Sequence, residues 1–129
     1  RLVGSEMCKE TDIAYTTCVL AKNVKADAIV CYTHTGNSAR RLAGLGAGCP
    51  ILVVTDNKRT FRQLGLVWNV FPVFIENKGN INTVIKEGIE KHKKLGHLEA
   101  GDKVVVAGGD QILPDYKSSK AIGGFLTIE

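Results

Sequence analysis

The chain has 129 residues, of which 44% are hydrophobic and 23% are charged, and this composition indicates one globular domain and excludes a disordered chain. Its net charge of +4 is well below the dense basic stripe of a nucleic-acid-binding domain, so we expect no nucleic-acid partner. No run of 18 apolar residues and no signal peptide are visible, which predicts neither a membrane-spanning helix nor secretion. We expect a single cytoplasmic domain over residues 1–129.

Hydrophobic spacing predicts helices and strands that alternate along the chain. The predicted helices cover 10–25, 38–47, 58–66 and 80–95, and the predicted strands cover 28–33, 51–55, 70–75, 103–109 and the segment near "AIGGFLTIE". Such alternation predicts a parallel sheet with helices on both faces. Because the loop "DQILPDYKSSK" has no helical pattern, we expect the last two strands to pair antiparallel. The predicted fold is a three-layer α/β/α domain with a mostly parallel five-stranded sheet whose last strand is antiparallel.

Single residues predict details of these elements. Thr11 or Asp12 can cap the first helix, because both side chains accept hydrogen bonds from backbone N–H groups. Pro72 has no N–H to give to a neighbouring strand, which places its strand at an edge or a bulge. Gly96 is suited to end the helix over 80–95.

The four cysteines indicate neither a zinc site nor disulfides. They are Cys8, Cys18, Cys31 and Cys49. No pair has the close spacing of metal ligands, and the second and third lie in apolar segments, where free cysteines are usually small core residues. A reducing cytosol fits this usage best.

A polar turn joins the first predicted strand to the second predicted helix. It consists of Thr33, His34, Thr35, Gly36, Asn37 and Ser38. In an open parallel sheet, ligands bind beyond the carboxyl ends of strands, and a helix start offers N–H groups and a positive dipole end to an anion. Arg40 and Arg41, expected in the first helical turn, could reach back to such an anion. The alternative is an ordinary turn and helix cap, since the spacing is neither a phosphate loop of nucleotide hydrolases nor a dinucleotide fingerprint.

The loop "GGDQILPDYKSSK" follows the strand at 103–109 and is expected at the same edge of the sheet as the polar turn. Its side chains, including Lys117 and Ser118, could close over a bound anion. The alternative is a surface hairpin loop without a ligand.

No catalytic residue and no metal site are predicted. His34 is expected to be solvated in its turn, His92 to be packed on a helix face, and His97 to follow a helix end, and their spacing is not that of metal ligands. Asp110 and Asp115 are expected to be solvated. No cofactor of this chain is therefore predicted.

Four motifs follow one another within 26–76. They are "THTGNSA", "CPILVVT", "TFRQLGL" and "VFPVF". Their order and spacing resemble the C-terminal domain of the pyruvate kinase family, in which a strand, a hydroxyl-rich turn, a helix and two further strands carry these patterns. The segment "LEAGDKVVVAGG" resembles the family's final Gly-Asp-x-Val-Val strand, so the resemblance covers most of the chain.

The resemblance implies a role in regulation and assembly. Pyruvate kinases transfer a phosphoryl group between phosphoenolpyruvate and ADP with Mg²⁺ and K⁺, in a barrel and a lid domain that 129 residues cannot contain. The C-terminal domain is regulatory and forms oligomers, so we expect a homo-oligomer, the parent chain's catalytic domains as partners, and no activity from this chain alone. In several members a sugar bisphosphate binds with one phosphate in the turn that matches Thr33–Ser38, and His34 stands where a lysine often helps.

The sequence departs from the family at the second phosphate. Members that respond to fructose bisphosphate use a Trp and an Arg, and Asn77 and Val84 lie near those places here. The loop "GGDQILPDYKSSK" also replaces a loop rich in Gly and Arg. These departures make regulation by fructose bisphosphate doubtful and leave a monophosphate or an inorganic anion as the alternatives.

The organisation of the parent protein has alternatives. The chain begins with Arg1 rather than Met, so we expect a piece of a longer pyruvate kinase. A stand-alone protein of the same fold with its own phosphorylated ligand is the alternative, and an unrelated nucleotide-binding module disagrees with the motifs in 26–76.

Overall fold

In the described residues, four helices alternate with the first four of six strands. The computed structural model describes residues 9–76, 79, 81–108, 111–112 and 125–127. The helices are α1 (Lys9–Val24), α2 (Asn37–Gly44), α3 (Lys58–Leu64) and α4 (Ile81–Lys94). The strands are β1 (Ala28–Tyr32), β2 (Ile51–Thr55), β3 (Val70–Phe74), β4 (Lys103–Gly108), β5 (Gln111–Ile112) and β6 (Phe125–Thr127). The predicted α/β order is confirmed. Because α1 already begins at Lys9, Thr11 and Asp12 lie inside it, and the prediction that either caps it is wrong.

The sheet has the order β3-β2-β1-β4-β5, and β6 also pairs with β4. The first four strands form the parallel part, in which β1 pairs with both β2 and β4, and β2 pairs with β3. The short β5 and β6 both run antiparallel to β4. The described strands number six rather than the predicted five, because β5 is too short for its two residues to show a period.

Helices cover both faces of the sheet, as the apolar strands predict. Every side chain of β1 and β2 is buried. On one face α1, α2 and α3 pack against alternate strand residues through Ala14, Cys18, Ala21, Ala39, Leu42 and Leu64. On the other face α4 packs through Val84, Ile85 and Ile89. The three-layer prediction is confirmed.

The predicted core positions of Cys18 and Cys31 are confirmed. Both side chains are buried, and Cys18, Cys31 and Cys49 are free thiols. Burial raises the pKa of Cys31 to about 12, because a thiolate in the core loses its hydration. Cys8 lies outside the described residues.

The chain reverses its direction of travel across the sheet after β3, so that β4 lies on the other side of β1. From β1 it moves outward through β2 to β3, with α2 and α3 on one face, and it then returns through α4 on the other face to β4. Right-handed crossovers require the two faces to be used in this way. The carboxyl ends of β1 and β4 are therefore where crossovers diverge, which is the place where open α/β sheets bind ligands.

The predicted roles of Pro72 and Gly96 are confirmed. β3 is an edge strand, so the missing N–H of Pro72 interrupts no central strand. Gly96 follows α4 with a φ of 86°, in the left-handed region. The N–H of Gly96 donates to Lys93, and that of His97 donates to His92, which satisfies the last carbonyls of α4.

None of the described helices combines the length and the apolar character that crossing a membrane requires.

Gly88 brings α4 into close contact with β2. A Cβ atom at Gly88 would collide with the Cγ2 atom of Val54 and lie 2.7 Å from its Cγ1 atom. Val54 is fully buried in the sheet, so it has no space into which it can move. Glycine at this position therefore sets the distance between helix and sheet.

We predict that Gly88→Ala destabilises the domain by about 1–3 kcal/mol, because the added methyl overpacks the core against Val54. Urea unfolding measures the effect. Gly44→Ala is the matched control, because a Cβ at Gly44, at the end of α2, meets nothing within 4 Å. This control should change stability by less than about 1 kcal/mol and in the stabilising direction. Equal effects of the two variants would contradict the assigned contact.

Candidate functional site

The six predicted residues Thr33–Ser38 lie together in the turn between β1 and α2. Thr33 is buried, and its N–H donates to the carbonyl of Val54 at 3.1 Å. Its Oγ1 accepts a hydrogen bond from the N–H of Gly36 at 2.9 Å, and Thr35 Oγ1 accepts one from Asn37 N–H at 3.4 Å. Two N–H groups at the helix start are thus already bonded to hydroxyls of the turn itself.

Gly36 occupies the position directly before α2. Its φ is 90°, which disfavours a residue with a side chain, and no side chain caps the helix from this position. A Cβ here would lie 2.9 Å from Arg40 Nη1 and 3.2 Å from Thr60 Cγ2. The conformation of Gly36 therefore favours glycine, whereas its closest neighbour, the flexible end of Arg40, can move aside.

Arg40 reaches back to the turn, whereas Arg41 does not lie where the sequence predicted. The Nη1 atom of Arg40 donates to the carbonyl of Thr35, and Nη2 donates to Gln63 Oε1, both at 3.2 Å. Arg41 lies in the last turn of α2 rather than its first, because the helix has only eight residues. The prediction that both arginines lie in the first turn is wrong.

The loop over 109–120 was expected to close over the turn. Of this loop the structure describes only Gln111 and Ile112. Lys117, Ser118, Asp110 and Asp115 lie outside the described residues.

A carboxylate that sequence analysis missed lies beside the turn. Asp56 Oδ1 is 2.6 Å from His34 Nδ1, and Asp56 Oδ2 accepts from the hydroxyl of Tyr32 at 2.9 Å. Because a carboxylate only accepts, Nδ1 of His34 carries a proton in this contact. The side chain of His34 is 63% exposed and that of Asp56 is 13% exposed. His34 is thus exposed as predicted, but Asp56 holds its orientation.

The start of α3 also reaches the turn. The hydroxyl of Thr60 donates to the carbonyl of His34 at 2.7 Å. Asn57 caps α3, since its Oδ1 accepts from the N–H groups of Arg59 and Thr60 at 2.9 and 3.3 Å. The positive ends of two helix dipoles therefore lie at this edge of the sheet.

The turn brings hydrogen-bond donors and one carboxylate together. Hydroxyls, a guanidinium and the start of α2 can hold a small anion, while Asp56 opposes one unless His34 carries a positive charge. The predicted packing of His92 is confirmed, because its side chain is fully buried. Across the described part of the chain, no three His, Cys, Asp or Glu side chains group as metal ligands would.

The chain matches a model of a known protein family over most of its length. The family described as "Pyruvate kinase, alpha/beta domain" matches residues 11–118. Among curated proteins, the pyruvate kinase of Clostridium acetobutylicum is 32% identical over 107 residues, which are 82% of this chain and 23% of the relative. Pyruvate kinase 1 of Trypanosoma brucei brucei is 33% identical over 116 residues, covering 85% of this chain and 23% of the relative. The chain thus spans less than a quarter of these relatives.

Solved structures give the same fold. The structure of Cryptosporidium parvum pyruvate kinase in complex with ADP has a TM-score of 0.74 and 23% sequence identity. The match covers 82% of this chain and 21% of that chain. At this identity the similarity establishes the fold alone.

We predict that Thr33→Val destabilises the domain by about 1–3 kcal/mol, because it leaves the buried N–H of Gly36 without its acceptor. Valine keeps the shape, so the loss reports the hydroxyl. Thr35→Val is the control, since Thr35 is exposed and its bond is longer, and it should cost less than about 0.5 kcal/mol. Thermal or urea unfolding measures both. A Thr33→Val variant as stable as the control would show that the turn does not depend on this bond.

Proposed function

The chain belongs to the pyruvate kinase family, as its C-terminal alpha/beta domain, and from this we propose that it is a regulatory and assembly domain of a pyruvate kinase. The parent enzyme would transfer the phosphoryl group of phosphoenolpyruvate to ADP in glycolysis. The chain itself would perform no catalysis and would sense a phosphorylated ligand. The turn Thr33–Ser38, at the carboxyl end of β1, is the observation that carries the sensing role.

The local structure of the turn supports a phosphate as its ligand. The start of α2 offers a positive dipole end, and no acidic residue occupies the first turn of this helix. Arg40 places a permanent positive charge within 3.2 Å of the Thr35 carbonyl. The glycine at position 36 keeps a side chain from standing between the helix start and a ligand.

Asp56 limits how strongly the turn can hold an anion. Its carboxylate is bonded to Tyr32 and His34, so one negative charge lies next to the proposed site. A protonated His34 would neutralise that charge, as the lysine common in the family would. We therefore propose a compact ligand, a monophosphate or inorganic phosphate, held with millimolar rather than tight affinity.

Mg²⁺ and K⁺ belong, in this proposal, to the catalytic domains of the parent. Among the described residues, no three His, Cys, Asp or Glu side chains group together as metal ligands. The cytoplasm is the proposed location, and the three free, buried thiols support a reducing compartment.

An apolar patch supports packing against further protein. Leu66 and Trp68 are 91% and 87% exposed, and Phe71 of the edge strand lies next to them in the same groove. Large exposed apolar side chains in one place are typical of interaction surfaces. We propose the parent's catalytic domains and further copies of the chain as the partners of this domain.

A stand-alone protein that binds a small phosphorylated ligand is the second candidate. The reading frame upstream of Arg1 distinguishes the domain of a longer enzyme from the stand-alone protein. We predict that the reading frame continues upstream of Arg1 and encodes a barrel domain. A start codon directly before Arg1 would instead favour the stand-alone protein.

We predict that inorganic phosphate stabilises the domain against heat. A ligand at ten times its Kd that binds only the folded state adds about 1.4 kcal/mol, which raises the Tm of a domain of this size by about 5 °C. Ser38→Asp should abolish this response, because a carboxylate in the first turn of α2 repels the anion while it complements the helix dipole.

Thr83→Asp is the matched control, because it places the same charge near the start of α4. It should keep the response to phosphate. Sodium chloride at equal ionic strength separates specific binding from screening. An unchanged Tm of the original chain up to tens of millimolar phosphate would reject the proposed site.

A further inference from the structure

Two histidines lie in contact where α4 ends over the sheet. His92 is fully buried, with Nε2 3.1 Å from the carbonyl oxygen of Val53 and Nδ1 2.9 Å from Nδ1 of His97. The ring of His97 is exposed to solvent and lies against the ring of Phe71, with 5.0 Å between their centroids. The side chains thus connect α4 to β2 and β3 of the sheet.

The acceptors determine where the protons lie. A carbonyl oxygen only accepts, so His92 carries a proton on Nε2. In the neutral ring its Nδ1 is then an acceptor, and His97 must donate from its own Nδ1. The neutral pair therefore has one defined arrangement, in which Nε2 of His97 is the unprotonated nitrogen.

A first added proton does not break this arrangement. It binds Nε2 of His97, the remaining acceptor of the pair. His97 still donates from Nδ1, and the hydrogen bond to His92 becomes charge-assisted and stronger. A second proton has only Nδ1 of His92 to bind, where it would face the N–H of His97 across 2.9 Å. The bond between the two rings cannot survive that step.

We propose that His92 and His97 form an acid-operated latch, which holds the end of α4 to the sheet with no proton or one proton added and opens on the second. Opening would separate His97 from Phe71 and change the groove that also holds Trp68. The latch rests on the geometry of the pair alone and is independent of phosphate binding at the turn.

The surroundings of the pair disfavour the second proton. From α4, Lys91 adds positive charge nearby, although its Nζ is turned to the carbonyl of Phe74, and Lys93 and Lys94 follow in the last turn. The residues of β2, the groove segment 65–72 and the neighbours Leu95 and Leu98 are not ionisable. Further along the chain than the two histidines, the carboxylate of Asp102 accepts a hydrogen bond from the backbone N–H of Glu99.

The protonation of His92 is also linked to stability. Burial lowers its pKa to about 4, against the opposing effect of the Val53 carbonyl and with help from His97 and Lys91. The unfolded chain binds this proton with the ordinary pKa of histidine, near 6.5. The stability gained from burying a neutral His92 is therefore complete above pH 6.5 and is lost as the pH falls towards 4.

Nitrogen NMR of the imidazole rings tests the latch directly, since the chain has only three histidines. At pH 7.5 we expect the proton of His92 on Nε2 and that of His97 on Nδ1. On acidification His97 should become charged first, while His92 stays neutral and keeps its contact. A proton on Nε2 of His97 at pH 7.5, or a His92 that becomes charged before His97, would overturn the proposal.

Two variants give a second readout. His97→Ala removes the donor, so amide exchange of residues 95–97 should become about tenfold faster, the equivalent of one hydrogen bond. His97→Gln can still donate to His92 and should exchange like the original chain at pH 7.5. His34→Gln, a change outside the pair, is the control. Equal exchange in all four proteins would contradict the latch.

Discussion

Burial of the central strands on both faces is the constraint from which the rest of the structure follows. Every side chain of β1 and β2 is buried, so helices must cover both sides of the sheet. Right-handed crossovers allow this only if the chain reverses its direction once, and it does so after β3, which places β4 beside β1. The connections that leave β1 and β4 therefore diverge at their carboxyl ends, and the polar turn lies there.

The two faces of the sheet are built differently. On the side of α2 and α3, polar contacts between Asp56, His34 and Thr60 join the ends of neighbouring elements at the edge. On the side of α4, the absence of a side chain at Gly88 lets the helix lie close enough for His92 to bond the carbonyl of Val53. Polar contacts thus join the elements at one edge of the sheet, and the opposite face holds a helix close to β2.

Elements that depend on local pattern could be predicted from the sequence. Apolar runs identified β1 and β2, and the backbone properties of Pro72 and Gly96 placed an edge strand and a helix end. The contact of Asp56 with His34 could not be predicted in the same way, because it depends on the pairing of β1 with β2. The signal available was that Asp56 is the first polar side chain after a strand next to β1. The pairing of His92 with His97 likewise depends on how close α4 comes to the sheet.

Mapping of inorganic phosphate by backbone amide NMR tests the central claim most directly, namely that the turn after β1 holds an anion. The account predicts concentration-dependent shifts that are largest for the amides of residues 36–40 and small along α4. Absence of shifts in the turn, or larger shifts on the basic face of α4, would contradict it.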